Sequence, residues 1–329
     1  MLNPLAITNG SGHYRVKAPG LPSPKVMPAA AAACQDAPFP AVVTAMPATP
    51  DLFADASSRT MPSGAPRIRC GIGGWVFPEW RDNFYPAGLV QRRELEYASR
   101  QLRSIEINGT YYRAPAPTTL AGWAKQVPDG FVFSLKAPKA IVLQRKLAGA
   151  VGLASAFVDS LQALGDRLGP VVWQFTPARR FDPDDLAAFL DRLPRTLNGV
   201  PLRHALEVRH ASFQCQEYLD LARAQGVATV FTDSPEYPSL ADLTGPFTYA
   251  RLMRSQADEA HGYPPAALNA WAERAAQWHA GGDPAELPHV EAPRPSDAAR
   301  DVFIYFISAA KARNPHAAMA LQARVDRSG

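Results

Sequence analysis

Cysteine is scarce: Cys34, Cys70 and Cys215 are the three in 329 residues. None is spaced as a metal-binding or redox pair, and an odd count gives no disulfide framework. No disulfide-linked partner is therefore expected, and a reducing, cytoplasmic setting is the default. Uncharged apolar stretches fall short of the roughly 20 residues a membrane helix needs, so no membrane association is expected. No basic segment followed by an apolar core opens the chain, which predicts no secretory signal. Neither sign of charge dominates, with 34 basic and 30 acidic residues and a net charge of +4. Gly71-Ile72-Gly73-Gly74 lacks the third spaced glycine and immediate helix of a dinucleotide loop. There is no Walker sequence, no arguable Ser-His-Asp grouping and no redox-cofactor signature, so no cofactor is predicted. A divalent metal held by His210 or His261 with Glu106 or Asp233 is the alternative, and no spacing supports it.

What is present divides the chain in two. Residues 1–66 hold Ala30–Ala33, eight prolines between Pro19 and Pro50, and few aromatics. This stretch lacks periodicity and cannot bury enough apolar surface to offset its ordering entropy, so a disordered tail is expected. From Arg67 to Gly329, short apolar runs alternate with helical patterns. The runs Ile68–Gly73, Ser104–Thr110, Phe131–Lys136, Val171–Phe175, His204–His210, Ala228–Asp233, Phe247–Arg251 and Val302–Ser308 read as strands. Helical spacing covers 92–102, 117–126, 151–168, 182–193, 216–225, 264–280 and 309–325, with a weaker pattern over 235–243. Strands separated by helices of this length pair in parallel through right-handed crossovers. Eight such units predict an α/β fold of the (β/α)8 TIM-like barrel type, about 250 residues long. An open doubly wound sheet is the competing architecture. Gly281–Ala299, rich in proline and glycine, reads as an exposed loop.

The order of motifs carries a resemblance. Gly71-Ile72-Gly73-Gly74-Trp75 leads to Trp80-Arg81 and Phe84-Tyr85-Pro86. Glu106-Ile107-Asn108-Gly109-Thr110-Tyr111-Tyr112-Arg113 follows, then Phe133-Ser134-Leu135-Lys136-Ala137-Pro138, Glu207-Val208-Arg209-His210 and Asp233-Ser234-Pro235. Over residues 67–325 the chain resembles the YecE-like family of uncharacterised proteins. That resemblance implies a TIM-barrel-like domain and supplies no activity. Three places depart from the family pattern. Ile72-Gly73 stands where Thr-Ser is usual, Met253-Arg254 where His-Gly follows Arg-Leu, and Ile307-Ser308 where two asparagines follow Tyr-Phe.

Ionisable and amide side chains end most of these strands, where a purely structural strand would carry valine or isoleucine. Unpaired burial of such groups costs several kcal/mol each, and in a (β/α)8 barrel that end is the active-site mouth. Residues two apart on a strand share a face, so Glu106 points with Asn108, and Glu207 with Arg209. With those faces inward, Glu106, Lys136, Glu207, Arg209, Asp233 and Arg251 converge. Glu106, Glu207 and Asp233 are the candidate acid–base groups, because cations and apolar walls separate carboxylate pKa values. Asn108, Lys136, Arg209, Arg251 and Gln174 are candidate substrate binders, with Trp75 and Tyr111 as a stacking wall. Lys136 is also a candidate Schiff-base lysine. A buried ion-pair network filling the barrel is the structural alternative.

The reading that follows is an enzyme performing acid–base chemistry, hydrolysis or isomerisation, on a small anionic, phosphate-bearing or sugar-like substrate. A second reading is nucleic-acid binding or processing by the bases behind the strand ends, namely Lys139, Arg145, Lys146, Arg179, Arg180 and Arg254. A third is a non-catalytic binding barrel.

Overall fold

The computed structural model describes residues 67–328. The Ala/Pro-rich stretch 1–66, and the disorder expected of it, lie outside them. Eight parallel strands close into a barrel: β1 (Ile68–Gly73), β2 (Ser104–Ile107), β3 (Val132–Lys136), β4 (Leu168–Gln174), β5 (His204–Glu207), β6 (Ala228–Asp233), β7 (Phe247–Leu252) and β8 (Asp301–Phe306). Each strand pairs with its sequence neighbours, and β8 returns to β1 with Ile68 opposite Val302 and Ile72 opposite Phe306. Closure rules out the open doubly wound sheet.

The helices that cover the barrel are α1 (Glu94–Gln101), α2 (Pro117–Gln126), α3 (Val151–Ser160), α4 (Pro183–Leu190), α5 (Gln216–Ala224), α6 (Pro265–His279) and α7 (Asn314–Ser328). The start of α4 shows how local sequence sets these boundaries. Asp182 caps it by accepting from the Asp185 amide at 3.1 Å, and Pro183 fills the first turn, where no amide is needed. Outward strand residues such as Ile105, Ile107, Leu206 and Phe231 pack against this layer. Inward residues form a second cluster that includes Val132, Val172, Val230, Tyr249, Phe303 and Tyr305.

Several sequence expectations need correction. The β2 strand stops at Ile107 because Asn108 turns to helical angles, and β5 stops at Glu207. After Phe306 the chain enters positive φ at Ser308 (59°) and Ala309 (46°), which ends β8 two residues early. No helix forms over 235–243. The pattern over 151–168 breaks after Ser160 into a 3-10 segment with Gly165 at φ 55°. The helical run Leu147–Arg167, 21 residues at a mean hydropathy of 1.4, is long and apolar enough for a membrane span, although Asp159 interrupts its uncharged stretch. Its apolar side, including Val151, Ala154, Phe157, Val158, Leu161 and Leu164, is buried in the core, which accounts for that composition. Gly281–Ala299 is pinned rather than loose. Asp242 accepts from the amides of Val290 and Glu291, and Asp283 binds His289 and the Arg294 amide.

At the barrel's N-terminal face, Asp301 receives Arg69 at 2.7 Å, Arg203 at 2.8 Å and the Arg67 amide at 2.9 Å. Conserving a fold is the usual work of that face.

His204, at the start of β5, is equally structural. Its Nδ1 accepts from the Trp173 indole at 3.1 Å, so its Nε2 carries the proton that goes to the Pro194 carbonyl at 2.8 Å. Burial pushes this imidazole down to about 4 from 6.5. The unfolded chain therefore takes up a proton below pH 6.5 that the folded chain refuses until about pH 4. Stability is expected to drop by about 3 kcal/mol across that window. In His204→Gln this component should vanish, leaving a flatter pH dependence of the urea midpoint over the same range. Parallel losses in the two proteins would show that His204 does not supply it.

Candidate active site

Strand alternation puts Gly71 and Gly73 of β1, Ser104 and Glu106 of β2, Ser134 and Lys136 of β3, Gln174 of β4, Glu207 of β5, Thr232 of β6 and Arg251 of β7 on the inner face. Arg251 is the hub. Its guanidinium donates to Glu106 Oε1 at 2.9 Å and to Glu207 Oε2 at 2.5 Å. Both carboxylates are fully buried, and Arg251 is 2% exposed. Glu207 Oε2 also accepts from Gln174 at 2.7 Å, while its Oε1 takes Arg209 Nε at 2.7 Å and Nη2 at 2.6 Å. Four N–H donors thus occupy Glu207. Burial alone would raise its carboxyl, but Arg251 and Arg209, helped by the Gln174 hydrogen bond, outweigh that and hold it below the ordinary carboxylate range. Burial works against the Arg251 charge, yet Glu106 and Glu207 lift it above its ordinary value.

Beneath this layer, Tyr249 donates to Glu106 Oε2 at 2.6 Å and lies 2.8 Å from Ser134 Oγ. Ser104 gives its proton to the Val132 carbonyl at 2.7 Å, so the Tyr305 hydroxyl donates to Ser104 Oγ at 2.6 Å. Buried polar groups of this density are stable only when satisfied. Two atoms stand out as unsatisfied: Arg251 Nε and Thr232 Oγ1 are buried without a hydrogen-bond partner, and their residues face each other across β6 and β7.

Lys136 differs from all of these. Its ammonium rests over the Tyr111 ring, 4.2 Å from the centroid, with no carboxylate at ion-pair distance. Thr110 fixes that arrangement, since its hydroxyl lies 2.9 Å from the Ile107 carbonyl and 2.6 Å from the Lys136 carbonyl. Burial, with Arg251 next, pushes Lys136 down to about 8, against the pull of Glu106 and Glu207. Across the mouth, Arg209 lies 4.2 Å from the Tyr237 ring.

The sequence-derived candidates thus separate. Glu106, Glu207, Gln174, Arg251, Arg209, Lys136 and Tyr111 are brought together. Asn108 sits half-buried at the same end, beside Gly73. A Cβ on Gly73 would fall 2.7 Å from Asn108 Nδ2 and 2.8 Å from Ile307 Cδ1, so glycine here makes room for both. Asp233 does not join them. It follows Thr232 by one residue, shares the outward parity of Phe231, and pairs with Arg254 at 2.7 Å. Trp75 does not face the cluster either, because its ring packs edge-on against Trp123 of α2 at 5.0 Å and against Phe133 at 6.3 Å. The residues of the metal alternative are scattered. Glu106 is held by Arg251 and Asp233 by Arg254, His210 bonds Ser212, and His261 is exposed. Among the described residues no group of three or more His, Cys, Asp or Glu side chains is gathered to hold a metal ion.

Tyr249, Tyr305, Ser104, Ser134, Thr232 and Tyr237 escaped sequence reasoning. Tyrosine, serine and threonine inside strands look like ordinary core or β-propensity choices. Only the alternation shared with Glu106, Lys136 and Arg251 marks Ser104, Ser134 and Tyr249, and nothing local marks Thr232, Tyr305 or Tyr237.

The fold and this charged cluster at the C-terminal mouth define a parallel (β/α)8 barrel with its polar site where such barrels carry function. Within that class the chain belongs to the DUF72 family, described as proteins of unknown function, whose family model matches residues 69–329. This agrees with the YecE-like resemblance of the motifs. A DUF72 family protein from Thermotoga maritima MSB8 is 18% identical, with a TM-score of 0.61 over 79% of this chain and 99% of that one. One from Enterococcus faecalis V583 is 17% identical, with a TM-score of 0.56 over 79% and 98%. At such identities these likenesses show the fold. No curated protein matches the chain.

Proposed function

We propose that the barrel mouth is the active site of an enzyme that performs acid–base chemistry, hydrolysis or isomerisation, on a small anionic substrate. One observation carries this reading: the site holds one more cation than anion, and the surplus is Lys136. With Asp233 outside, two carboxylates face three bases. Arg251 is committed to both carboxylates and Arg209 to Glu207, so Lys136 is the cation left for a ligand. An anionic group of the substrate docks between Lys136 and the exposed side of Arg209, with Asn108 beside it.

The division of labour differs from the one drawn from sequence. Glu207 has no lone pair left for a substrate proton, and Glu106 lies fully buried behind Arg251. These carboxylates position the two arginines. Lys136, poised near neutral pH, is the group suited to exchange a proton with substrate.

A second reading has one observation in its favour. Tyr112, 73% exposed, stands beside Lys139 with the ammonium 5.4 Å from its ring, the pairing a single-stranded nucleic acid would use. One titration separates the two. Inorganic phosphate and glycerol 3-phosphate are added to the protein, and a labelled single-stranded oligonucleotide is added in parallel at low and physiological salt. The small anions are expected to bind saturably, with Lys136→Met and Arg209→Gln each weakening them about tenfold, the equivalent of one charge-assisted hydrogen bond. Anion binding that both variants leave unchanged would refute the site. Oligonucleotide binding that falls steeply with salt and needs Tyr112 rather than Lys136 would put the rim reading in its place.

A further inference from the structure

We propose that Lys136 forms an imine with its substrate, so that the mouth takes an aldehyde or ketone bearing an acidic group. This rests on the anion site above and names the chemistry performed there.

Position is the first argument. Among the described residues the lysines are Lys125, Lys136, Lys139, Lys146 and Lys311, and all but Lys136 are exposed. Lys146 pairs with Asp182 at 2.6 Å, and Lys139 and Lys311 reach outward over Tyr112 and Phe77. An amine placed at a barrel mouth merely to attract anions gains nothing from losing water. Lys136 has lost much of it, and no carboxylate has come within ion-pair distance in return. Two further cations, Arg251 and Arg209, share its electrostatic environment. Desolvation and like charge are the two influences that keep a lysine neutral enough to attack a carbonyl carbon.

Supporting groups are present for the rest of the step. The Tyr111 ring fixes the direction of the side chain and shields one side of Nζ. Across the barrel, on β6 and β7, Arg251 Nε–H and the Thr232 hydroxyl are buried without partners. A substrate oxygen that reaches either one would satisfy it while gaining negative charge as the carbonyl is attacked.

The chemistry balances without any further reagent. The Lys136 ammonium first releases a proton to water. Neutral Nζ then adds to the carbonyl carbon, a C–N bond forms, and the C–O π pair moves onto oxygen. That oxygen takes up a proton, and nitrogen loses one, giving a carbinolamine. A second proton on the hydroxyl lets it leave as water, while the nitrogen lone pair closes the C=N bond. The net change converts an ammonium and a carbonyl into a protonated imine and one water. The imine then serves as an electron sink for breaking a bond at the adjacent carbon.

The experiment is reductive trapping. Full-length protein is incubated near pH 8 with pyridoxal 5′-phosphate, or with unphosphorylated pyridoxal as comparator, and then treated with sodium borohydride. Intact mass and peptide mapping locate the adducts. The expected result is one reduced adduct on the peptide holding Lys136, saturating with the phosphorylated probe and forming at least about tenfold faster than adducts on the exposed lysines. Glyoxylate, a small acidic aldehyde, should compete. Lys136→Met should lose the fast adduct. If that variant melts early, Lys136→Arg keeps the charge and cannot form an imine, so it answers the same question. Labelling of Lys136 no faster than of Lys139 or Lys146 overturns the proposal. If phosphate still binds in that case, the imine fails alone; if phosphate binding is absent as well, the anion site falls with it.

Discussion

Truncating Arg251 to alanine is expected to lower stability by about 3–5 kcal/mol, a large part of what a domain possesses. The expectation comes from what the side chain leaves behind. Glu207 would keep Arg209 and Gln174, but Glu106 would keep only the Tyr249 hydroxyl. Two carboxylates with no exposed surface would then face each other without the guanidinium between them. The pH dependence gives the sign. The penalty belongs to buried negative charge left without its cation, so it is full at neutral pH and eases as acid neutralises the site. Urea midpoints at about pH 7.5 and pH 5 should therefore show the gap between variant and native protein closing. The double variant Arg251→Met with Glu106→Gln should recover much of the loss, because a neutral pair of similar volume avoids the buried charge. A gap below about 1 kcal/mol, or one that widens in acid, would mean that the network does not carry the load assigned to it.

Gly71→Ala should be comparably damaging, for a steric reason. A Cβ at this position would sit 2.1 Å from the Ser104 carbonyl oxygen and 2.8 Å from its carbon. Those are backbone atoms of β2, the strand paired with β1, and they cannot rotate away. The strands must part or the barrel must change register. A loss of about 3 kcal/mol or more is expected, at the upper end of what overpacking costs. Gly109→Ala makes the matching control, since a Cβ there meets nothing within 4 Å, and it should stay within about 0.5 kcal/mol of the native protein. Equal denaturation midpoints for all three proteins would contradict the close approach of β1 and β2.

The two glycines also show what a sequence makes legible. Short apolar runs alternating with helical patterns are enough to place eight strands and the closed barrel, because burial of apolar segments is written locally. Strand alternation likewise joined Glu106 to Asn108 and Glu207 to Arg209. It failed for Asp233, where the inner face carries Thr232 and the next residue looks outward. A one-residue difference in parity is invisible when both neighbours are polar. Trp75 is misplaced for a different reason, since a tryptophan after a strand end serves equally as pocket wall or as packing against a helix, and only α2 decides between them. The commitments of each charge, Arg251 to two carboxylates and Lys136 to none, depend on distances across the barrel that no local pattern encodes.

Closure of the sheet has a consequence for how the protein is made. The bond from the Arg67 amide to Asp301 joins residues 234 apart in sequence, and β1 has no second partner until β8 reaches it. Before that moment the nascent sheet is an open ribbon with two unpaired margins, each a template for another chain. Contacts this distant in sequence are slow to form. The molecule is therefore most exposed to aggregation late in its assembly, and a ribosome stalled ahead of Asp301 would release a ribbon that self-associates rather than a weakened barrel.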